Sequence, residues 1–483
     1  MTMTARFAYD EVPYDTEANS EAHPRSMATL ARLFGIEAAP PSTARVLEIG
    51  CGDGEHMIAA ASYLPNARFV GFDLAADAIA RGVETAREAG ARNVELLHRD
   101  VRDVRGKGAL GAFDYVVAHG VYSWVPEAIR GDVLAVMREA LAPNGIGFVS
   151  VNALPGWELR RALRILMREV AAEHEDPAAQ VHAALGLVDD LAAARGDGFL
   201  AVLAKAAAEY RAHVTQATPP DAPFSRYVFH DLLAECNDPF SVTQLSERAQ
   251  AAGLRLMCET PLFARRAQGS GELDLTAELA ATGTPFLQVL LCRDDAPIAP
   301  RPEMKAIRAM HLWADLAPAG AGAYRSTSGA VLRAAASSPI ARAARSAPGF
   351  VLVRDLTADE AELESLERDL FASVCEGALL LATEPAPIRG VSTTPCVAPH
   401  VRLRARGAVA RRAESAVLTS ALHRSFRVPR RELAVVQELD GTKDLAEIAA
   451  RAGQSLDAPP DEPFVTTVLD RFARHGFLIE GAP

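Results

Sequence analysis

Several chemical features are scarce in this 483-residue sequence. It has only 6 cysteines, and no two form a Cys-x-x-Cys pair, which argues against a zinc site built on thiolates. A few scattered cysteines are typical of a reducing compartment. The sequence shows no uninterrupted apolar run of membrane-spanning length, and its N-terminal segment lacks the apolar region of a secretory signal. We therefore expect a cytoplasmic protein without a membrane span.

An excess of basic charge is also missing. The chain has 50 Lys and Arg against 62 Asp and Glu, a net charge of −12, which argues against general affinity for nucleic acid phosphates. We expect neither a nucleic-acid partner nor a metal. A hydrophobic content of 49% with 23% charged residues is typical of a globular protein. The length favours about two to four domains.

From Arg45 onward, apolar strand patterns alternate with helical ones. Such alternation predicts a parallel sheet covered by helices on both faces. The strand segments are almost continuously apolar, as expected for strands buried on both faces. The fold class is therefore α/β, a Rossmann-like sheet of seven strands. Its predicted strands span 45–49, 68–74, 94–100, 113–120, 145–153, 254–259 and 285–293.

Composition divides the rest of the chain. An N-terminal arm or lid precedes the sheet domain, and an Ala- and Leu-rich helical stretch interrupts that domain, a separate helical domain being the alternative. An Ala-, Pro- and Ser-rich region with one strong helix follows. The end reads helix, Asp440-Gly441 turn, helix, helix and strand, which is winged-helix-like. The predicted boundaries are 1–44 for the arm, 45–295 for the sheet domain with its insertion at about 156–235, 296–400 for a linker and helical middle region, and 401–483 for the C-terminal domain.

The most informative short motif is VLEIGCGDGEHM, which follows the first strand. Gly50, Gly52 and Gly54 are spaced GxGxG, and Glu48 precedes them. The nicotinamide fingerprint requires GxGxxG, and a phosphate loop requires Gly-Lys-Ser/Thr, so neither is present. Glycines let a ligand approach the backbone closely. A turn without Lys or Arg suits a ligand with an amino group and a sulfonium better than a pyrophosphate.

Acids at the next two strand ends complete this pattern. Asp73, followed by Leu74, is placed to bind both ribose hydroxyls, and Asp100, followed by Val101, to accept from an adenine amino group. The alternative is that the glycines only form a tight turn and the acids only cap helices. The full set points to S-adenosylmethionine. The predicted cofactor-binding residues are Glu48, Gly50, Gly52, Gly54, Asp73, Leu74, Asp100, Val101 and His119.

Residues 45–152 resemble a class I S-adenosylmethionine-dependent methyltransferase. More closely, the sequence resembles the bacterial protein-lysine methyltransferases that modify outer-membrane proteins, with their methyltransferase regulatory domain. The resemblance covers about two thirds of the chain, and the tail LDGTKDLAEIA more weakly. The family commonly has a Pro-Phe step before His-Pro where this chain has DTEANSEAHP, which affects the substrate pocket. The matching segments are YDEVPY (9–14), His23-Pro24, HGVYSWVPE (119–127), APNGIGFVSVNALPGW (142–157) and YVFHDLLAECNDPF (227–240) through AAGLRLMCE (251–259).

The segment after the fourth strand usually contacts the acceptor in this fold. This chain has HGVYSWVP there and not the Asp/Asn-Pro-Pro-Tyr/Phe motif of adenine and glutamine methyltransferases, which favours an amine. His119 is expected to accept a proton or line the cofactor, and Tyr122 and Trp124 to hold a lysine by cation–π contact. The alternatives are a core histidine and a tryptophan that staples the next helix.

Two other segments are expected to contribute. Tyr9, Asp10, Tyr14 and His23 precede the first strand, where a lid often covers the cofactor, a solvated arm being the alternative. Asn152, Trp157 and Glu158 follow the fifth strand, and Glu158 is expected to bind the ammonium unless it is merely an exposed helix acid. The predicted catalytic residues are His119, Tyr122, Trp124, Glu158 and Tyr14.

Three functions remain open at this point. The first is N-methylation of lysine in a protein or peptide, held by the insertion and the C-terminal unit. The second is methylation of a small metabolite, with those parts covering the pocket or forming a homodimer. The third is a peptide-binding regulatory protein with a vestigial methyltransferase fold. DNA binding is disfavoured because LAEIAARAG is poor in base-reading side chains.

Overall fold

A computed structural model describes residues 8–14, 16–106, 110–218, 222–262, 279, 282–320, 322–326, 329–335, 337–456 and 458–480. The helices are α1 Ala8–Glu11, α2 Pro24–Leu33, α3 Glu55–Ala61, α4 Ala76–Glu88, α5 Glu127–Ala140, α6 Glu158–Ala171, α7 Pro177–Ala193, α8 Gly198–Ala217, α9 Arg226–His230, α10 Val242–Ala251, α11 Pro339–Ala344, α12 Glu360–Cys375, α13 Pro399–Ala410, α14 Arg430–Val436, α15 Leu445–Gly453 and α16 Glu462–Arg474. The strands are β1 Arg45–Ile49, β2 Arg68–Asp73, β3 Val94–His98, β4 Phe113–Ala118, β5 Leu141–Asn152, β6 Leu254–Glu259, β7 Phe286–Arg293, β8 His311–Ala314, β9 Ala317–Pro318, β10 Ala323–Arg325, β11 Val331–Arg333, β12 Gly349–Leu352, β13 Leu380–Ala382, β14 Cys396–Val397, β15 Ser415–Thr419, β16 Ser425–Pro429 and β17 Leu478–Ile479.

The centre of the fold is a 7-stranded sheet in the order β3-β2-β1-β4-β5-β7-β6. Strands β1 to β5 pair in parallel with their neighbours, whereas β7 runs antiparallel to both β5 and β6. The predicted Rossmann-like sheet is confirmed. Strand β5 begins at Leu141, earlier than predicted, because Leu141 pairs with Phe113 before an irregularity in β5, after which Ile146 pairs with Tyr115.

Alternate residues of the central strands face two separate hydrophobic layers. Val46 belongs to the core that includes α2 and α3, whereas Leu47 and Ile49 belong to the core that includes α5 and α10. Both faces of β1 are therefore buried, which explains why its sequence is nearly continuously apolar. Because β1 is buried on both faces, its carboxyl end, where residues 50–54 begin, is held firmly in the sheet.

The predicted helical insertion is present between β5 and β6. Helices α6, α7, α8 and α9 form a core of their own, in which Trp157, Leu163, Met167 and Tyr210 are buried. The chain returns to the sheet through α10, whose first turn is closed by a capping box of Ser241 and Gln244. The insertion thus begins and ends at the carboxyl edge of the sheet.

The stretch 296–400 is more than a linker with a helix. Strand β8 pairs antiparallel with both β12 and β13, and a second 3-stranded sheet joins β9, β10 and β11. The predicted helix is present as α12, with Asp359 as its N-cap. These short strands were missed because two to four residues in an Ala-, Pro- and Ser-rich context show no usable period-2 pattern.

The C-terminal unit contains the predicted succession of helices and a final strand. It also contains the antiparallel hairpin β15–β16 ahead of α14, and β17 pairs with β14. Arg404 Nη1 of α13 forms an ion pair with Glu55 Oε2 of α3 at 2.9 Å, so this unit packs directly beside residues 50–54. Its winged-helix character stays a prediction. Among the helices of the described ranges, none has the length and apolarity needed to cross a bilayer.

Candidate active site at the carboxyl edge of the sheet

Residues 50–54, here called the glycine loop, form a turn that requires glycine. Gly50, Gly52 and Gly54 have φ of 69°, 57° and 73°, in the region that side chains rarely adopt. A Cβ on Gly50 would lie 2.5 Å from Cγ2 of Val121. The amides of Gly50 and Cys51 donate to the Phe72 carbonyl at 2.9 and 3.1 Å, so the loop is tied to the end of β2.

Asp73 connects the glycine loop to helix α4. Its Oδ2 accepts from the Gly52 amide and its Oδ1 from the Ala75 amide, both at 2.8 Å. Burial raises the pKa of this carboxyl, while hydrogen bonds from the Ala75, Gly52 and Leu74 amides oppose the shift. A carboxylate offers about four lone-pair positions. The carboxylate therefore keeps capacity to accept a hydrogen bond from a ligand at the position predicted for ribose.

Glu48 lies under the loop with unused hydrogen-bonding capacity. The residue is buried, and its Oε2 has no hydrogen-bond partner among the described residues. Burial, together with the charges of Asp73 and Asp53, raises its pKa to about 8. A buried carboxylate of this kind gains most from a cation, because an unpaired polar group in the interior is costly.

Asp100 is engaged by its own neighbour. Its Oδ1 accepts from the Arg102 amide at 2.8 Å, and Arg102 Nη2 donates to Oδ2 at 2.6 Å. The Arg102 guanidinium lowers the pKa of the carboxyl. Leu74 is exposed and Val101 is half-buried. Asp100 remains at the predicted strand end, but an adenine amino group would have to share it with Arg102.

His119 is the first residue after β4, and its ring is held by two side chains. Asn19 Oδ1 accepts from the Glu21 and Ala22 amides, so its Nδ2 is the donor that faces His119 Nε2 at 3.2 Å. His119 Nδ1 lies 3.0 Å from Ser150 Oγ. This arrangement defines the Nδ1–H tautomer, with Nε2 as acceptor. Burial lowers the pKa of His119 to about 4, so the imidazole is neutral at pH 7.

The N-terminal arm lies across the same edge. Thr16 hydrogen-bonds to Asp53 of the glycine loop, and the Asp77 amide of α4 donates to Asp10 at 3.1 Å. Asn19 Nδ2 also donates to Gln288 at 2.7 Å, which joins the arm to β7. Sequence patterns gave no signal for Asn19, because it lies 100 residues from His119 along the chain.

The structure separates the predicted acceptor residues. Tyr122 is 1% exposed and packs against Phe240 in the core, so we leave it out of the acceptor site. The side chain of Glu158 is exposed and pairs with Arg161 at 3.5 Å, so it too is left out. Trp124 is half-buried and lies in the turn that follows His119. Tyr14 is 39% exposed at the rim of the arm.

The other residues of these segments are also accounted for. Trp157 is buried in the helical insertion, and Asn152 is buried at the end of β5. His23 is buried, with its ring 4.6 Å from that of His423. Tyr9 stacks on His230 of α9 at 4.3 Å. The arm therefore contacts the sheet domain, the insertion and the C-terminal unit.

Comparisons with known proteins agree with this geometry. A family model for a methyltransferase domain matches residues 47–146. The Rickettsia prowazekii protein RP028 is 32% identical over 269 residues, 53% of this chain and 98% of RP028. A second protein of that organism, RP789, is 40% identical over 159 residues, 33% of this chain and 28% of RP789.

Among solved structures, PKMT2 from Rickettsia typhi superposes with a TM-score of 0.82 at 22% identity, covering 97% of this chain and all of that one (100%). Its complex with AdoHcy gives 0.79 at 23% identity, with the same coverage. These likenesses establish the fold. Fold, glycine loop and domain match together define the chain as a class I S-adenosylmethionine-dependent methyltransferase. Within that class, it belongs to the family that includes RP028.

Proposed function

We propose that this methyltransferase transfers the methyl group to the side-chain nitrogen of lysine in a protein or peptide. The observation that carries the proposal is the composition of the acceptor edge. Strand β4 leads into the neutral His119 and the half-buried Trp124, without the Asp/Asn-Pro-Pro-Tyr/Phe motif that holds amides and bases. An aromatic edge of this kind suits an alkylammonium and its neutral amine.

The cofactor residues fit S-adenosylmethionine. The unpartnered Glu48 oxygen would take its amino group, and Asp73 would accept from its ribose hydroxyls. Gly50, Gly52 and Gly54 would give the loop the backbone turn that the cofactor needs, and Leu74 and Val101 would line its adenine beside Asp100. When bound, the cofactor supplies an electrophilic methyl group on a sulfonium.

The chain's own residues have two tasks in this reaction. Deprotonating lysine at pH 7 from a pKa of about 10.4 costs about 4.6 kcal/mol, whereas positioning can supply about 7–11 kcal/mol. Positioning therefore outweighs deprotonation, and a strong general base is not required. His119 stays neutral and its Nε2 faces Asn19, so its role is to help position the amine and not to take up its proton.

Two comparisons support this proposal over a small-metabolite substrate. The full-length likeness to PKMT2 is in keeping with the protein-lysine methyltransferases that the sequence resembles. Most of the chain lies outside the matched methyltransferase domain, in parts that pack against the arm and α3. We infer that these parts hold a macromolecular acceptor, and that neither nucleic acid nor a membrane span is involved. A homodimer remains part of this hypothesis.

The experiment that tests the proposal is transfer of radiolabel. Purified protein is incubated with S-adenosylmethionine labelled in the methyl group and with host lysate. We expect label in one or a few protein bands after gel electrophoresis. Label found only in the small-molecule fraction would favour a metabolite methyltransferase. No cofactor binding and no transfer at all would favour a regulatory protein with a vestigial fold.

A further inference from the structure

Asp231 is a buried acid near the active site, outside the residues that would hold the cofactor. Asp231 ends helix α9 in the insertion, and its residue exposure is 5%. Its Oδ2 has no hydrogen-bond partner within the part of the chain that the structure describes. A buried carboxylate oxygen left in this state is costly, and such groups are normally paired. Asp231 Oδ2 can therefore accept a hydrogen bond from a ligand.

Hydrogen bonds place Asp231 beside the strand ends. Asn237 Nδ2 donates to the Asp231 carbonyl at 2.8 Å and to Asp231 Oδ1 at 3.2 Å. Asn237 Oδ1 accepts from Asn152 Nδ2 at 2.5 Å, and Asn152 is the last residue of β5. The Asn152 amide in turn donates to Ser123 in the segment after β4 at 2.9 Å. A buried polar chain thus links Asp231 to the acceptor edge.

Aromatic rings surround the same position. His230, the residue before Asp231, stacks on Tyr9 at 4.3 Å and meets Tyr14 edge-on at 5.5 Å. Tyr227, one turn earlier on α9, lies close enough to Asp231 that burial and the charge of Asp231 together raise the pKa of its hydroxyl. Burial and the charges of both Asp73 and Asp231 raise the pKa of Tyr9 to about 12. Tyr9 therefore lies within electrostatic reach of the cofactor acid and of Asp231.

From this arrangement we propose that Asp231 binds the side-chain ammonium of the acceptor lysine, with Tyr9, Tyr14 and Tyr227 around its alkyl chain. This inference rests on the proposed function and identifies the residue that binds the acceptor lysine. Tyr14, exposed at the rim, marks the side from which the lysine enters. Asp231 and Tyr227 replace Glu158 and Tyr122 of the sequence-based site.

The charge balance favours a cation as the ligand. Burial raises the pKa of Asp231, and the charges of Arg160 and Arg164 with the hydrogen bond from Asn237 only partly oppose this. An alkylammonium supplies further opposite charge and the missing donor. Aromatic faces add cation–π attraction for the same group. An anion would be repelled by the carboxylate.

The test compares Asp231→Asn with Glu235→Gln. Both changes remove one acid from the same segment, but Glu235 is exposed. Methyl-lysine formation is measured with host lysate protein as acceptor, below saturation and with excess labelled S-adenosylmethionine. We expect Asp231→Asn to lower the rate about tenfold or more, as loss of a charged hydrogen bond does. Cofactor affinity by calorimetry is expected to equal that of wild type.

Thermal stability separates an anchor from a structural acid. Asparagine keeps the bond from Asn237 and removes the desolvation cost of a buried charge, so the melting temperature of Asp231→Asn is expected to equal or exceed that of wild type. If Asp231→Asn forms methyl-lysine at the same rate as Glu235→Gln, the proposed role of Asp231 is overturned while the proposed function stands. If wild type forms no methyl-lysine, both are overturned.

A second variant covers failure of Asp231→Asn to fold. Tyr227→Phe removes only the hydroxyl beside Asp231 and is expected to lower the same subsaturating rate several-fold with an unchanged melting temperature. Unchanged activity in Tyr227→Phe, with Asp231→Asn unfolded, would assign Asp231 a structural role and overturn the inference.

Discussion

His423 Nε2 lies 2.9 Å from His56 Nδ1, and this contact joins the C-terminal unit to the helix that follows the glycine loop. His423 belongs to the turn of the β15–β16 hairpin, and His56 is the second residue of α3. The ring of His23 from the arm lies 4.6 Å from that of His423. Three parts of the chain that are distant in sequence thus meet through buried imidazoles.

This histidine cluster makes the stability of the protein sensitive to acid. Burial lowers the pKa of His56 to about 3 and those of His23 and His423 well below the ordinary value. The unfolded chain therefore binds more protons below about pH 6.5, and stability falls as pH drops from there toward the folded pKa. Each such proton changes the free energy of unfolding by about 1.4 kcal/mol per pH unit.

We predict that His423→Asn flattens this dependence. Asparagine tolerates the φ of 58° at this position and does not titrate. The measurement is the melting temperature between about pH 7 and pH 5. His182→Asn, at an exposed histidine, is the matched control and should keep the wild-type slope. Equal slopes in all three proteins would show that the cluster does not govern the acid response.

Gly52→Ala tests the role of the glycine loop. An added Cβ would lie 2.8 Å from Cγ2 of Thr16 and would strain a φ of 57°. Gly90→Ala strains a similar φ of 70°, but its Cβ would meet nothing within 4 Å. Both variants should lose about 1–2 kcal/mol of stability. Only Gly52→Ala should also lose cofactor affinity by calorimetry, and equal affinity in both would contradict the assignment.

Glu48→Gln tests the buried acid beneath the loop. Because its pKa is raised from 4.5 to about 8, the folded protein favours the protonated form, and the contribution of Glu48 to stability should fall as pH rises from about 4.5 to about 8. Glutamine does not titrate, so it removes that loss, and it replaces an acid that can pair with the cofactor's amino group by a neutral amide. We expect at least about tenfold weaker cofactor binding. Glu95→Gln, at an exposed acid, is the control; matching binding in both variants would refute the role.

We predict that substitution of Asp73 affects cofactor binding, whereas substitution of Trp124 affects the rate of methyl transfer. Asp73→Ala removes the acceptor of the Gly52 and Ala75 amides and should abolish cofactor binding. Trp124→Ala should spare cofactor binding and lower the rate of methyl transfer. Calorimetry and initial rates on the same preparations measure both effects. Equal loss of cofactor affinity in the two variants would contradict the division of roles.

The sheet and its cofactor edge were predictable because their signals are local. The apolar strands, the GxGxG spacing and Asp73 follow each other within 30 residues, from Arg45 to Asp73, and each is set by backbone geometry. Because β1 and β2 are parallel neighbours, the residues that follow them lie at the same edge of the sheet. Glu48, Gly52 and Asp73 accordingly lie close together in the structure.

The acceptor side was less predictable because it depends on contacts between distant segments. Asn19 reaches His119 across 100 residues, and no local pattern encodes that distance. Tyr122 follows a strand end, where side chains are often exposed. Phe240, a few residues after the insertion, nevertheless packs against it. Asp231 resembles an ordinary helix-end acid until its burial is known. Tertiary packing decided each of these positions.

The most direct test of the central claim identifies the methylated product. Wild type and Glu48→Gln are each incubated with host lysate protein and methyl-labelled S-adenosylmethionine, and the labelled protein is hydrolysed to amino acids. We predict methyl-lysine as the labelled product from wild type and a strong reduction of that label with Glu48→Gln. Label in any other amino acid, or in small molecules alone, would contradict this prediction.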